Sequence, residues 1–136
     1  HHGRVLFLDY LQCIDAPAGM DETEAMKDAV RAINLAAIRA GVAVIAISAI
    51  SRAKGAEMRS GSNRDKNPGA DIFRGSSWIE YTGLTAFALV RREDARRVGE
   101  NVEVELWPVK NRRGTCDGPV MLSYNGAYGE WTYGEA

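Results

Sequence analysis

At 136 residues, 46% hydrophobic and 26% charged, with 17 Lys+Arg against 18 Asp+Glu, the chain has the size and balance of one soluble domain, 1–136, and its net charge of −1 singles out no nucleic-acid binder. No apolar run reaches the roughly 18 residues of a membrane helix and no charged-then-apolar signal segment opens the chain, so a cytoplasmic protein without membrane partners is expected. The only histidines, His1 and His2, adjoin at the start like a tag remnant, and Cys13 lies far from Cys116, which argues against Ser-His-Asp or Cys-His catalysis, a zinc ribbon or a CxxC site; two idle thiols are favoured over a disulfide.

The run Val5-Leu6-Phe7-Leu8 ends abruptly in Asp9 and reads as a strand buried on both faces, as in a parallel sheet. After a loop with Pro17 and Gly19, Asp21 and Glu24 form a capping box for a helix to about Ala40. Met26, Val30, Ile33 and Ala37 are its apolar stripe and Gly41 its stop. Val42 to Ile47 is a second apolar strand, and strand, helix and strand in that order predict a right-handed parallel crossover. Residues 52–69 lack periodicity and contain Gly55, Gly61, Pro68 and Gly69, so a long mobile loop is expected there. A short helix is expected over 70–82 and a third apolar strand over Leu84 to Val90. Alternation in Val102, Val104 and Leu106, then in Val120 and Leu122, predicts antiparallel strands joined across Asn111 to Gly118. Pro108 confines its strand to an edge or a bulge, and Asn125-Gly126 signals a last hairpin leading to Trp131.

Ligands of open parallel sheets bind beyond the carboxyl ends of the strands, and those ends here carry Asp9-Tyr10-Leu11-Gln12 and Ser48-Ala49-Ile50-Ser51-Arg52. An acid after four large apolar residues suits a Walker B strand, whose carboxylate meets hydrated Mg²⁺ while the strand stays dry. The plainer alternative is an Asp that ends a strand and caps a loop.

VLFLDYLQCID, a helix, VAVIAISAISR, FRGSSWIE and VKNRRGTCDGPVMLSYN closely resemble, in order and spacing, the C-terminal half of the RecA-like motor of DnaB-type replicative helicases. The resemblance runs from about Val5 to Trp131, and RGSS is similar to phage and plasmid relatives. It implies an α/β fold: the C-terminal half of a RecA-like P-loop NTPase core, with a mostly parallel sheet, C-terminal antiparallel hairpins and no Walker A strand. It also implies ATP and Mg²⁺ in the intact protein, with Asp9 the Mg²⁺ ligand through water. Gln12 and Ser48 are implied as nucleotide-sensing residues, Ala49 standing where the family usually has Gln. Lys110 and Arg112 match the basic pair that reaches a neighbour's nucleotide, and Arg74 and Gly75 match a DNA loop. A hexameric ring translocating 5′ to 3′ on single-stranded DNA, with a primase or helicase loader as partner, is implied in the same way.

No G-x-x-x-x-G-K-[ST] occurs in the chain, so the phosphate-cradling loop is missing and these residues alone are expected not to hydrolyse ATP. The natural expectation is a C-terminal part of a longer protein. The stretch 52–69 carries Arg52, Lys54, Arg59, Arg64 and Lys66 against Glu57 and Asp65, with Arg74 nearby, and such cations suit the phosphates of single-stranded DNA. Composition alone favours an ordinary solvated loop; the resemblance favours DNA. Trp78 is expected to be packed, and Asp117 to hold the turn after Arg112. The competing function is a non-catalytic RecA-like remnant that binds single strands or a partner ring, which Ala49 and the missing phosphate loop favour.

Overall fold

The computed structural model describes residues 3–60, 67–73, 83 and 85–133. They group into two compact units: residues 3–51 with 73 and 83, and residues 52–60 and 67–72 with 85–133.

In the first unit, β1 (Arg4–Leu8) and β2 (Val42–Ala46) pair in parallel, with Arg4 opposite Val42 and Leu8 opposite Ala46. The helix α1 (Glu22–Ala40) joins them. Its N-cap is Asp21, whose carboxylate accepts from the backbone N–H of Thr23 and Glu24 and so satisfies two donors that a helix start leaves open. Gly41, at φ 61°, closes the helix in the left-handed conformation that glycine adopts without a Cβ clash. The stripe lies inward as expected, with Ala25 and Met26 buried and Val30, Ile33 and Ala37 half-buried. The strands do not match the expectation of burial on both faces: Phe7 is 72% exposed, and Val5, Leu6, Ile45 and Ile47 are also exposed. A two-stranded ladder with one helix has too little surface to cover four strand faces.

The second unit is a five-stranded antiparallel sheet. The long strand β5 (Asn101–Asn111) lies between β3 (Thr85–Val90) and β6 (Val120–Asn125); β7 (Glu130–Tyr133) follows β6, and the short β4 (Arg97–Val98) also pairs with β5. Among the described residues, antiparallel pairing therefore exceeds the parallel share, against a mostly parallel expectation. A short apolar run such as Thr85–Val90 has no feature that tells parallel from antiparallel neighbours. Ala88, Val90, Val102, Val104, Trp107 and Val109 form the core. Pro108 sits where both of its tolerated settings coincide: β6 pairs with β5 only as far as Leu106, and the β3–β5 register slips between Ala86 and Phe87 so that Val109 bulges.

Further expectations meet the structure in the loops and turns. Arg52–Ser60 is a nine-residue helix, α2, so the loop expected over 52–69 is helical in its first half; 61–66 lie outside the described residues. Ala70–Ile72 is a 3-10 turn; the rest of the helix expected over 70–82, residues 74–82 with Trp78, lies outside the described residues. The last hairpin turns through four residues, with Asn125 opposite Glu130 and Gly129 at φ 69°, rather than through a two-residue Asn-Gly turn. Asn125 accepts at both ends of that loop: its carbonyl takes the Gly129 N–H and its Oδ1 the Ala127 N–H.

Candidate nucleotide and nucleic-acid site

Asp9 follows the last residue of β1 and its side chain is exposed, while the strand's own direction is carried on by backbone bonds to β2. Ile47 N–H donates to Leu8 O at 2.9 Å and Leu11 N–H to Ile47 O at 2.9 Å. The Asp9–Tyr10 peptide is cis. A 3-10 turn, Leu11–Cys13, buries Leu11 and sets Gln12 beside the end of β2. There the Gln12 amide uses both of its ends: Nε2 donates to Ser48 Oγ at 3.0 Å and Oε1 accepts from the Ala49 N–H at 3.0 Å. The two residues expected to sense nucleotide are thus in direct contact. Ala49 contributes its main chain to the network although its side chain has no polar atom.

Among the described residues no three His, Cys, Asp or Glu side chains group to hold a metal. The donor set suits Mg²⁺ held through water by one carboxylate and by substrate phosphate oxygens, the usual arrangement in nucleotide enzymes, and Asp9 would be that carboxylate. Cys13 and Cys116 are free thiols.

In the second unit, Lys110 is half-buried near the end of β5 and Arg112 is exposed in the turn beyond it. Asn111 shapes that turn: its Oδ1 accepts from the Arg113 N–H at 3.1 Å and its Nδ2 donates to Thr115 O at 3.5 Å. A Cβ on Gly114 would stand 2.8 Å from Asn111 Nδ2, so the glycine makes room for the bond that closes the turn. Asp117 accepts from the Thr115 hydroxyl, the turn-holding role expected of it.

Of the residues expected to meet DNA, Arg52, Lys54 and Arg59 lie on α2; Arg64, Lys66, Arg74 and Gly75 lie outside the described residues. Seven residues make almost two helical turns, so Arg52 and Arg59 share one face, and both are exposed. Lys54 faces elsewhere, with Nζ 3.3 Å from Asp71 and 3.7 Å from Glu57. Its hydrogen bond and charge attraction to Asp71, helped by Glu57, raise its pKa above the ordinary value.

A group that sequence reasoning misses lies next to α2. Arg92 and Glu105 are buried, at 6% and 8% exposure, and form a bidentate pair: Nε donates to Oε1 and Oε2 at 3.1 and 3.0 Å, and Nη2 to Oε2 at 2.7 Å. Trp107 Nε1 donates to the same Oε2 at 2.6 Å, and Arg92 Nη1 to the Met58 carbonyl on α2. Arg92 reads as one more charge in the solvated stretch Arg91 to Glu100. The only signal in the sequence is a glutamate on the bulge side of a strand otherwise lined by Trp107 and Val109.

The chain matches the model of the DnaB-like helicase C terminal domain over residues 1–132. It belongs to that family. Among solved structures, this DnaB-like domain is similar to one described as an ATPase domain, with TM-score 0.75 and 26% identity over 99% of this chain and 46% of that one. It is also similar to one described as a DnaB-like replicative helicase and its interactions with primase, with TM-score 0.76 and 26% identity over 99% of this chain and 32% of that one. No curated protein matches. The RecA-like α/β reading therefore holds, and the chain spans less than half the length of each of these structures. Among the described residues no helix is long and apolar enough to cross a membrane.

Proposed function

We propose that this DnaB-like C-terminal domain is the part of a replicative helicase motor that senses and fires ATP, coupling its hydrolysis to movement on single-stranded DNA and to 5′ to 3′ duplex unwinding. The observation that carries the reading is the Gln12 amide joined to Ser48 and to the Ala49 N–H at the carboxyl ends of two parallel strands, on the turn that follows the exposed Asp9. Ligands of such sheets bind at these ends. Asp9 would hold Mg²⁺ through water, and the Gln12–Ser48 pair would respond to the γ-phosphate at both strand ends. Lys110 and Arg112 serve the nucleotide of a neighbouring subunit in a ring, where a guanidinium neutralises charge that develops during phosphoryl transfer. Arg52 and Arg59, with Lys54, Arg64, Lys66, Arg74 and the Gly75 backbone, follow the DNA phosphates. A primase or a loader is the expected protein partner in the cytoplasm, in keeping with the primase named for one similar structure.

The complete gene product tests this. It should hydrolyse ATP and displace a strand from a forked duplex with a 5′ tail, and Asp9→Ala should abolish both. Changing Arg59, Arg64 and Arg74 to Ala should flatten the log–log salt dependence of single-strand binding by about 0.7 for each phosphate no longer neutralised. Strand binding with no nucleotide-dependent displacement would instead favour a non-catalytic module, and an unchanged salt slope would reduce these arginines to solvated cations.

A further inference from the structure

The turn that carries Arg112 is fastened by one side chain. Pairing with β3 holds β5 to its last residues, Lys110 opposite Ala86 and Asn111 opposite Thr85, whereas β6 pairs with β5 only as far as Leu106 and begins at Val120. Residues 112–119 therefore lie outside every ladder. In such a stretch a short amide side chain can take the place of strand bonds. The Asn111 Oδ1 accepts from the Arg113 N–H at 3.1 Å, which closes a ring of atoms through the Arg112 backbone, and its Nδ2 donates to the Thr115 carbonyl at 3.5 Å. Gly114 leaves room for that amide. A Cβ there would stand 2.8 Å from Nδ2 and 3.6 Å from the Asn111 Cγ, and apart from its chain neighbours no other atom of the described residues lies within 4 Å of it. The φ of Gly114 is not left-handed, so space and not backbone conformation calls for the glycine.

We infer that Asn111 is a positioning residue for hydrolysis: its amide, in the space left at Gly114, fixes the backbone of Arg112 so that the guanidinium can reach nucleotide bound to a neighbouring subunit. The inference rests on the proposed motor function and adds the group that aims the guanidinium. An exposed arginine spreads over many rotamers, and a loose backbone beneath it multiplies the places its tip can visit. Charge is neutralised only in the few that meet the phosphate. Asparagine suits the task because it is acceptor and donor at once on a short stem: an ionised Asp could accept from the Arg113 N–H but not donate to the Thr115 carbonyl, and Ala could do neither. Asn111 acts here through Arg112 and touches no reacting atom.

The test uses the complete gene product, with Arg112→Ala measured alongside. Asn111→Ala should lower kcat for ATP by about 30-fold, the order expected for two missing hydrogen bonds, while KM stays within about twofold. Asn111→Asp, which keeps the acceptor for Arg113, should recover part of kcat. Gly114→Ala crowds the same amide from the other side, at an exposed position. It should cost about as much as Asn111→Ala, yet cost less than about twofold when added to Asn111→Ala, because its one close contact is then gone. Mixing Asn111→Ala subunits with Asp9→Ala subunits should raise turnover above that of Asn111→Ala alone, since a sound Asp9 then meets a soundly held Arg112; a subunit that was merely misfolded would gain nothing from its neighbour. Wild-type kcat in Asn111→Ala, additive losses in the double variant, or no gain in mixtures that exchange subunits overturns the inference, and an inactive Arg112→Ala then leaves the motor reading standing. Normal turnover in Arg112→Ala, or a wild-type protein that hydrolyses no ATP, sinks the underlying reading and this inference with it.

Discussion

The two units are built by opposite rules. The first places its most apolar strands, Val5 to Leu8 and Val42 to Ile47, largely in the open and gathers its polar contacts at the strand ends, where Gln12 meets Ser48. The second encloses a continuous core around Ala88, Val104 and Trp107 and places a charged pair, Arg92–Glu105, within it. Apolar composition is thus a poor guide to burial in one unit, and charge a poor guide to exposure in the other. The two sheets also differ in how far their strands are paired. Helix α1 covers part of the β1–β2 ladder, whereas β5 has neighbours along both edges for most of its length.

The division also separates the proposed chemistry, with Asp9 in the first unit and Arg112 in the second, and the largest expected effect tests that separation. In the complete gene product, Arg112→Ala should leave ATP binding nearly intact and lower hydrolysis by about 10³ or more, as for other arginine fingers. Asp9→Ala has the complementary defect, a dead site with an intact finger. Mixing the two inactive variants should restore interfaces in which a sound Asp9 faces a sound Arg112, and hydrolysis should return. Mixtures that exchange subunits but stay inactive, together with normal turnover in Arg112→Ala alone, would make the turn at Asn111 to Gly114 a structural hairpin only.

The next effect is on stability. Glu105→Ala leaves the Arg92 guanidinium buried without its carboxylate and should destabilise the 136-residue chain by about 3 kcal/mol, the usual cost of removing one partner of a buried pair. Phe7→Ser, at a position 72% exposed, should cost less than about 0.5 kcal/mol. Urea midpoints read by tryptophan fluorescence give both. If Phe7→Ser proves the costlier, the open face of β1 is covered in solution, and the contrast between the units fails.

The legibility of the sequence follows the same contrast. Helix α1 is readable from end to end because its signals are local: Asp21 caps, Gly41 stops, and the stripe repeats with the helical period. The acid after β1 and the polar residues after β2 are readable as residues at the carboxyl ends of parallel strands, and the structure joins Gln12 to Ser48 there. Helix α2 is hidden by Gly55 and by a composition too polar to show a period. The Arg92–Glu105–Trp107 cluster is hidden because strand alternation assigns Glu103 and Glu105 to the same solvated face. The chain reverses that rule at Val104 and Glu105, which are both buried. Such long-range pairing is set by the fold around a residue and leaves little trace in its neighbours along the chain.

The smallest effect concerns Lys54, whose pairing with Asp71 and Glu57 joins α2 to the turn at Ala70–Ile72 within the second unit. Its folded pKa is raised above the ordinary 10.5, chiefly by the hydrogen bond and charge of Asp71. A raised folded pKa means that the stabilisation is complete below the unfolded value and is lost as pH rises through the folded one. The wild-type urea midpoint should therefore exceed that of Lys54→Met by a small, constant margin up to about pH 10, and the margin should shrink above it. Lys54→Arg, which keeps its charge in that range, should show no such loss. The informative quantity is the difference between variants. Asp71→Asn should erase that difference, because the main source of the shift would be gone. The same pairing bears on DNA: a phosphate must compete with Asp71 for Lys54, so Lys54→Met should weaken single-strand binding less than Arg59→Ala does. An equal or larger loss from Lys54→Met would show that the ammonium leaves Asp71 when DNA arrives.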